Sequence, residues 1–443
     1  MLTTLKNAFK IKEVRQKLIF TFLMMIVVRI AATIPVPGID GAAFKTWFES
    51  QTKNMGGAAD FFNAITGGSF IQMSIIALNI NPYITSSIIM QLLTIAIPKL
   101  EEMQKDGEDG RKKIASITRY VTVGLALIQA SAMALGFVSQ GWLGKDVLSI
   151  VTAIVCMTAG SAFVMWIGER ITERGVGNGI SIVLVINIIS RIPSDLHSLY
   201  LSFVEPQIKK NAFATAALAA AVIIAIIILM VVLVIILNDG TRKIPVQYAQ
   251  KMQGRRMVGG QGSSIPLKVN TAGVIPIIFA QSILQFPMII SSFVKYKADG
   301  VWAEILKYMN SSNWCNPAQL KYTIGMLVYI LMVIFFAYFY TSITFNPMLV
   351  ADNMKKQGGF IPGIRPGKPT CEYLTNILNY IIFIGAVGLT IIGILPYFFN
   401  GIFKASVSFG GTSLIIIVSV ILETMKQIES QMVVRNYKGF LND

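Results

Sequence analysis

Ten apolar stretches, at 18–34, 73–97, 115–138, 148–168, 179–197, 213–237, 271–293, 323–345, 376–399 and 407–427, dominate this chain. Crossing a bilayer takes about 20 predominantly apolar residues. Inside hydrocarbon every backbone amide must be paired within the protein, which leaves helices or closed barrels. Runs of this length specify helices. The stretch 213–237 is dominated by Ala, Val, Ile and Leu, and no soluble helical core needs such a segment. Only 14% of the 443 residues are charged, against about 25% in soluble domains. Those charges stay in the loops. Carriers of ions and metabolites usually hold ionisable groups at membrane depth, so the walls of this protein are expected to be mostly apolar.

The distribution of positive charge sets the orientation. Of the 38 Lys and Arg, 25 fall in segments on the side of the N-terminus and 11 on the opposite side. Positive residues are retained inside, so both termini are expected in the cytoplasm. The basic start before an apolar run has the look of a leader. Pro35, Pro37 and Gly38 follow it instead of a small-residue cleavage site, and nine more spans come after, so a retained span is expected. Cys156, Cys315 and Cys371 fall in different compartments by this topology, so no disulfide or metal site is expected. The single histidine, His197, lies at the outer end of the fifth span.

Ten spans divide as five plus five, at the outer segment from Arg191 to Asn211. An odd number per half inverts the second half relative to the first, and in membrane proteins of this plan the functional path runs between the halves. The expected fold is therefore an all-α integral membrane protein: two inverted five-helix halves, 1–200 and 201–443, around a central pore. Two inner loops are long. The first, 238–270, carries Arg242, Lys243, Lys251, Arg255, Arg256 and Lys268 around a glycine-rich run expected to be flexible. The second, 346–373, carries Lys355, Lys356, Arg365 and Lys368 among prolines and glycines, and reads as a shaped loop rather than a helix. Their length and charge point to an acidic docking partner.

Inside the second span, Asn79-Ile80-Asn81-Pro82-Tyr83 breaks an otherwise apolar helix. Such breaks persist where they face protein or a water-filled cavity. A half-apolar segment precedes it: Asp60, Phe61, Phe62, Asn63, Ala64, Ile65, Thr66, Gly67 and Gly68, within about 58–70, too short to span and able to stopper a channel from outside. The seventh span holds Gly273, Pro276 and Pro287 with Gln281, Ser282 and Gln285 at helical spacing; the second offers Thr85, Ser86, Ser87 and Gln91. Two such spans can form a seam that is stable closed and able to part. Arg29 and Glu423 lie near span ends and can reach an interface. No H-E-x-x-H, phosphate loop or intramembrane aspartate pair occurs, and Gly175-Val176-Gly177-Asn178-Gly179 reads as a tight inter-span turn. An enzyme is not expected, nor any cofactor.

The motifs, in order, resemble the SecY family, the central channel subunits of the bacterial Sec translocase. They are Ile34-Pro35-Val36-Pro37-Gly38-Ile39, Asn81-Pro82-Tyr83-Ile84, Glu173-Arg174-Gly175-Val176-Gly177-Asn178-Gly179-Ile180-Ser181, Gln253-Gly254-Arg255-Arg256, Leu267 to Pro276, Pro362-Gly363-Ile364-Arg365-Pro366-Gly367 and Phe409-Gly410-Gly411-Thr412-Ser413-Leu414. The resemblance implies a protein-conducting channel of the bacterial cytoplasmic membrane, which passes unfolded secretory polypeptides and releases hydrophobic segments sideways into lipid. It implies a pore ring of Ile80, Ile84, Ile180, Leu184, Ile278 and Ile416, although Ile180 looks shallow for mid-membrane. It makes the 58–70 segment a plug, and it places a lateral gate at Thr85, Ser86, Gln91, Gln281, Ser282, Gln285 and Phe286. Arg255, Arg256 and Arg365 would dock the ribosome or the SecA ATPase. SecE and SecG would be partner subunits, and signal-sequence-bearing polypeptides and membrane lipids would meet the gate. The rival reading is a secondary transporter of a small solute, since broken helices and two halves suit both.

Overall fold

The computed structural model describes residues 8–46, 48, 66–209, 213–248, 251–253, 256–258, 263–293, 300–315, 320–403 and 411–439. Every one of the ten apolar stretches carries helix. The first half holds α1 (Lys12–Ala31), α2 (Asn81–Ala96), α3 (Pro98–Lys105), α4 (Gly107–Gln140), α5 (Val147–Arg174) and α6 (Gly179–Leu199). The second holds α7 (Phe213–Asp239), α8 (Ile275–Phe293), α9 (Val301–Met309), α10 (Ile324–Thr344), α11 (Pro347–Lys356), α12 (Lys368–Phe403) and α13 (Gly411–Gly439). Among the described residues five helices are individually long and apolar enough to cross a membrane, and six spans result if α2 and α3, bent by 106°, count as one. The remaining four sites carry shorter or more charged helices, so the count of ten rests on the sequence.

The second span is broken more thoroughly than its sequence indicated. Residues 67–80 form turns and a bridge at Ser74, not helix, with Met73 at φ 48° and Asn79 at φ 51° in left-handed backbone. The amide of Ile75 donates to Ile34 O and that of Val36 to Met73 O, each at 2.8 Å, so this segment pairs with the chain leaving α1. Pro82 therefore kinks nothing. It sits in the first turn of α2, where a helix has no partner for an amide and a fixed φ is an advantage. Gly160 of α5 passes beneath the break: a Cβ there would lie 2.0 Å from Ile75 O. Its neighbour Ser161 donates to Asn79 O at 3.0 Å.

The two long loops, 238–270 and 346–373, are the main departure from an all-helical expectation. The first folds into β1 (Thr241–Tyr248), β2 (Lys251–Gln253), β3 (Arg256–Val258) and β4 (Ser263–Lys268). β1 pairs antiparallel with β4, from Thr241↔Lys268 to Val246↔Ser263. Along β1 the apolar residues alternate, with Ile244 and Val246 buried between exposed neighbours, the period of a half-buried strand. The second loop adds β5 (Gly359–Phe360) to the other edge of β1, in the order β4-β1-β5. It also contains α11, which corrects the reading of 346–373 as loop alone. Asn346 caps that helix by accepting from the amides of Met348 and Leu349, and Pro347 opens it. Only the stretch from Gly358 onward obeys its prolines and glycines. Ile244, Val246, Leu267, Met354, Ile361 and Leu374 close one core beneath the sheet, so the loops form a single platform.

The segment after α9, unexplained by sequence, is pinned by Trp314. Its ring is 2% exposed, lies 5.7 Å from Tyr329 and 5.1 Å from Tyr397, and donates Nε1–H to Tyr308 O at 2.9 Å.

Candidate functional site

The six ring candidates come from distant parts of the sequence and meet in one aliphatic cluster. Ile80, Leu184, Ile278 and Ile416 are buried members, at 0%, 5%, 9% and 2% exposure. Ile84 and Ile180 pack against it half-buried. Val28 of α1, Ile76 of the break, Ile167 of α5 and Ile417 of α13 complete the surround. Ile180 is the second residue of α6, whose cap Asn178 accepts from the amides of Ile180 and Ser181. A Cβ on Gly168 of α5 would lie 3.2 Å from the Ile180 side chain. Ile180 thus stands in the first turn of α6. Ile188, one turn beyond Leu184 on the same face, is 2% exposed in the same cluster. Its i,i+4 relation to Leu184 was present in the sequence, but the motif match stopped one turn short.

Of the plug candidates, Asp60, Phe61, Phe62, Asn63, Ala64 and Ile65 lie outside the described residues. Thr66, Gly67 and Gly68 are described. Thr66 is buried, and its carbonyl accepts from Ser69 Oγ at 2.7 Å and Asn79 Nδ2 at 3.3 Å. Arg29, expected to reach for an interface, turns inward and donates Nη1 to Gly67 O at 3.3 Å.

The seam differs from its expected composition. Ser86 faces away from the second half, with its hydroxyl 2.5 Å from Thr122 Oγ1 of α4. Gln281 also stays within its own half, donating to the Tyr397 hydroxyl of α12. Thr85 bonds back to Asn81 O at 3.0 Å, and Ser282 is half-buried. Gln285 and Phe286 continue α8, and their side chains lie outside the described set. Among the seam candidates with described side chains, Gln91 is the one that hydrogen-bonds across to the second half, accepting from the Tyr340 hydroxyl of α10. Ile88 packs beside it on the second-half core, where Phe279 lies 5.2 Å from the Tyr340 ring. Sequence reading missed Tyr340, because an aromatic hydroxyl in an apolar span carries no motif.

On the platform, Arg365 is an exposed tip. Gly363 at φ 83° and Gly367 at φ 106° turn the chain on either side, a backbone that favours glycine. Thr370 Oγ1 donates to Arg365 O at 2.8 Å, and Ile361 and Ile364 root the loop in the core below. Arg255 lies outside the described residues; Arg256 belongs to β3, and its side chain is likewise outside them.

A SecY family model matches residues 74–425. The protein translocase subunit SecY of Streptomyces scabiei is 43% identical over 454 residues, covering all of both chains. That of Bacillus subtilis is 42% identical over 453 residues with the same full coverage. Among solved structures, a protein-conducting channel superposes with a TM-score of 0.61 at 18% identity, over 95% of this chain and 93% of that one. Sec61 in the canine ribosome-channel complex gives 0.59 at 16% identity, over 95% and 93%. These two show a shared fold; the full-length identity shows descent, and this chain belongs to the SecY family of protein translocase subunits.

Proposed function

We propose that the chain is the central subunit of a protein translocase, a multi-pass membrane channel for unfolded polypeptides. The observation that carries the reading is the convergence of Ile80, Ile84, Leu184, Ile278 and Ile416, from four separate spans, on one aliphatic cluster. A narrow apolar constriction excludes ions by dewetting and needs no charge. Aliphatic walls also have no preferred hydrogen-bond partner, so they fit around any passing side chain. Ile188 takes the ring position that motif matching gave to Ile180. The segment ending at Gly68 acts as the plug, and α2 and α4 part from α8 and α10 to release apolar segments into lipid. The two inverted halves, 1–200 and 201–443, enclose the path in a bacterial cytoplasmic membrane with both termini inside. SecE and SecG complete the complex, and the ribosome or SecA docks on the platform.

The small-solute transporter loses ground on burial. Among the described residues no Asp, Glu, Lys or Arg is buried, so no fixed charge waits at depth for an ionic substrate. The deciding experiment stalls a secretory polypeptide in transit and seeks crosslinks from probes at Ile84 and Ile278. Adducts at both are expected; their absence overturns the channel.

Docking has its own test. Arg365→Glu reverses a charge on an exposed tip held by its backbone, so the fold should survive unchanged. Motor-driven translocation should fall about tenfold or more, the scale of one lost charge-assisted contact. Full activity in the variant would remove Arg365 from the interface.

A further inference from the structure

The wall beside Gly67 is built for main chain. Gly67 and Gly68 take φ of 65° and 83°, and a Cβ on Gly67 would lie 2.7 Å from Arg29 Nη1 and 2.9 Å from Asn187 Cα. Only bare backbone fits against these helices. The Gly67 carbonyl meets one polar side chain from each of them, yet is poorly served. Arg29 donates at 3.3 Å. Ser190 Oγ lies 3.5 Å away, but its one proton is better placed toward Asn187 O at 2.7 Å. Asn187 is 0% exposed, and neither its Oδ1 nor its Nδ2 has a partner among the described residues. A buried amide left unpaired on both sides is costly. Its oxygen and nitrogen together match one N–H and one C=O of an extended peptide.

We propose that Arg29, Asn187 and Ser190 form a binding site for polypeptide main chain. At rest it is partly filled by this chain's own Gly67 carbonyl; in transit it is filled by an extended stretch of the passing chain. Recognition through N–H and C=O ignores side-chain identity, as in strand addition, and suits a conduit that must accept every sequence. The site rests on the channel reading above, and it adds a polar grip next to the apolar ring.

The test uses the complete translocase in vesicles with a stalled secretory polypeptide. A probe at Ile278 first reports whether the chain is inside; no adduct there overturns the channel reading itself. With that adduct present, Asn187→Cys should form disulfides with single cysteines at successive positions of the stalled chain, whatever their neighbours. A chain that reaches Ile278 yet never pairs with position 187 overturns the site alone. In the second arm, Arg29→Met combined with Ser190→Ala should raise back-sliding of an undriven chain about fivefold to tenfold. Arg29→Lys, which keeps a donor, should fall between. Back-sliding at the unsubstituted rate in the double variant also overturns the site.

Discussion

Ile278→Asn combined with Ile416→Asn makes the resting membrane leak ions. Both side chains are buried in the cluster that joins α8 and α13 to α6 and the broken second span. An amide buried there without a partner costs about 1–3 kcal/mol. Two such penalties are relieved when water enters the constriction, which shifts the balance of dry and wet pore at least about tenfold. Vesicles holding an ion gradient should discharge it through the double variant and keep it with the unsubstituted chain. Leu389→Asn supplies the control: it is equally buried, but in the second-half core away from the ring, so it should lower stability without conductance. A double variant that holds the gradient would return Ile278 and Ile416 to ordinary packing.

The largest loss of stability is expected at Gly160→Val. A single Cβ would already stand 2.0 Å from Ile75 O and 2.6 Å from Ile75 C, and main-chain atoms there are held by the Ile75–Ile34 hydrogen bond. Overpacking of a tight core costs about 1–3 kcal/mol. Here the obstruction is backbone, so the cost should lie at or beyond the upper end. The thermal midpoint of the purified chain in detergent should drop, and protease should cut within 66–80 faster than in the parent. Gly160→Ala should show the same effects at lower amplitude. An unaltered midpoint in the valine variant would mean that the broken segment does not lie on α5 as described.

What the sequence revealed and concealed follows from distance along the chain. Span positions are local, set by runs of apolar residues, and every such run carries helix. The break at Asn79–Pro82 is local as well. Helical spacing puts Ile80 and Ile84 on one face, and both reach the same cluster. It could not say which neighbour the face meets. Ser86 and Gln281 found partners inside their own halves, and the crossing contact fell to Tyr340. The sheet was concealed for the same reason. The alternation of Ile244 and Val246 is legible in hindsight, but the pairing of Gln247 with Phe360 joins residues in separate loops, and no local pattern announces it.

That pairing has a mechanical consequence. Through β1 and β5 the segments that follow α7 and α10 are stitched edge to edge and share one core. A load applied at the Arg365 turn is therefore not absorbed by a flexing tether. It is delivered as torque to the feet of α7, α8, α10 and α12 together. α10 in turn meets α2 through the hydrogen bond from Tyr340 to Gln91. On the docking proposed above, a partner bound at that turn would act on α10, and so on the Tyr340–Gln91 contact, without touching it.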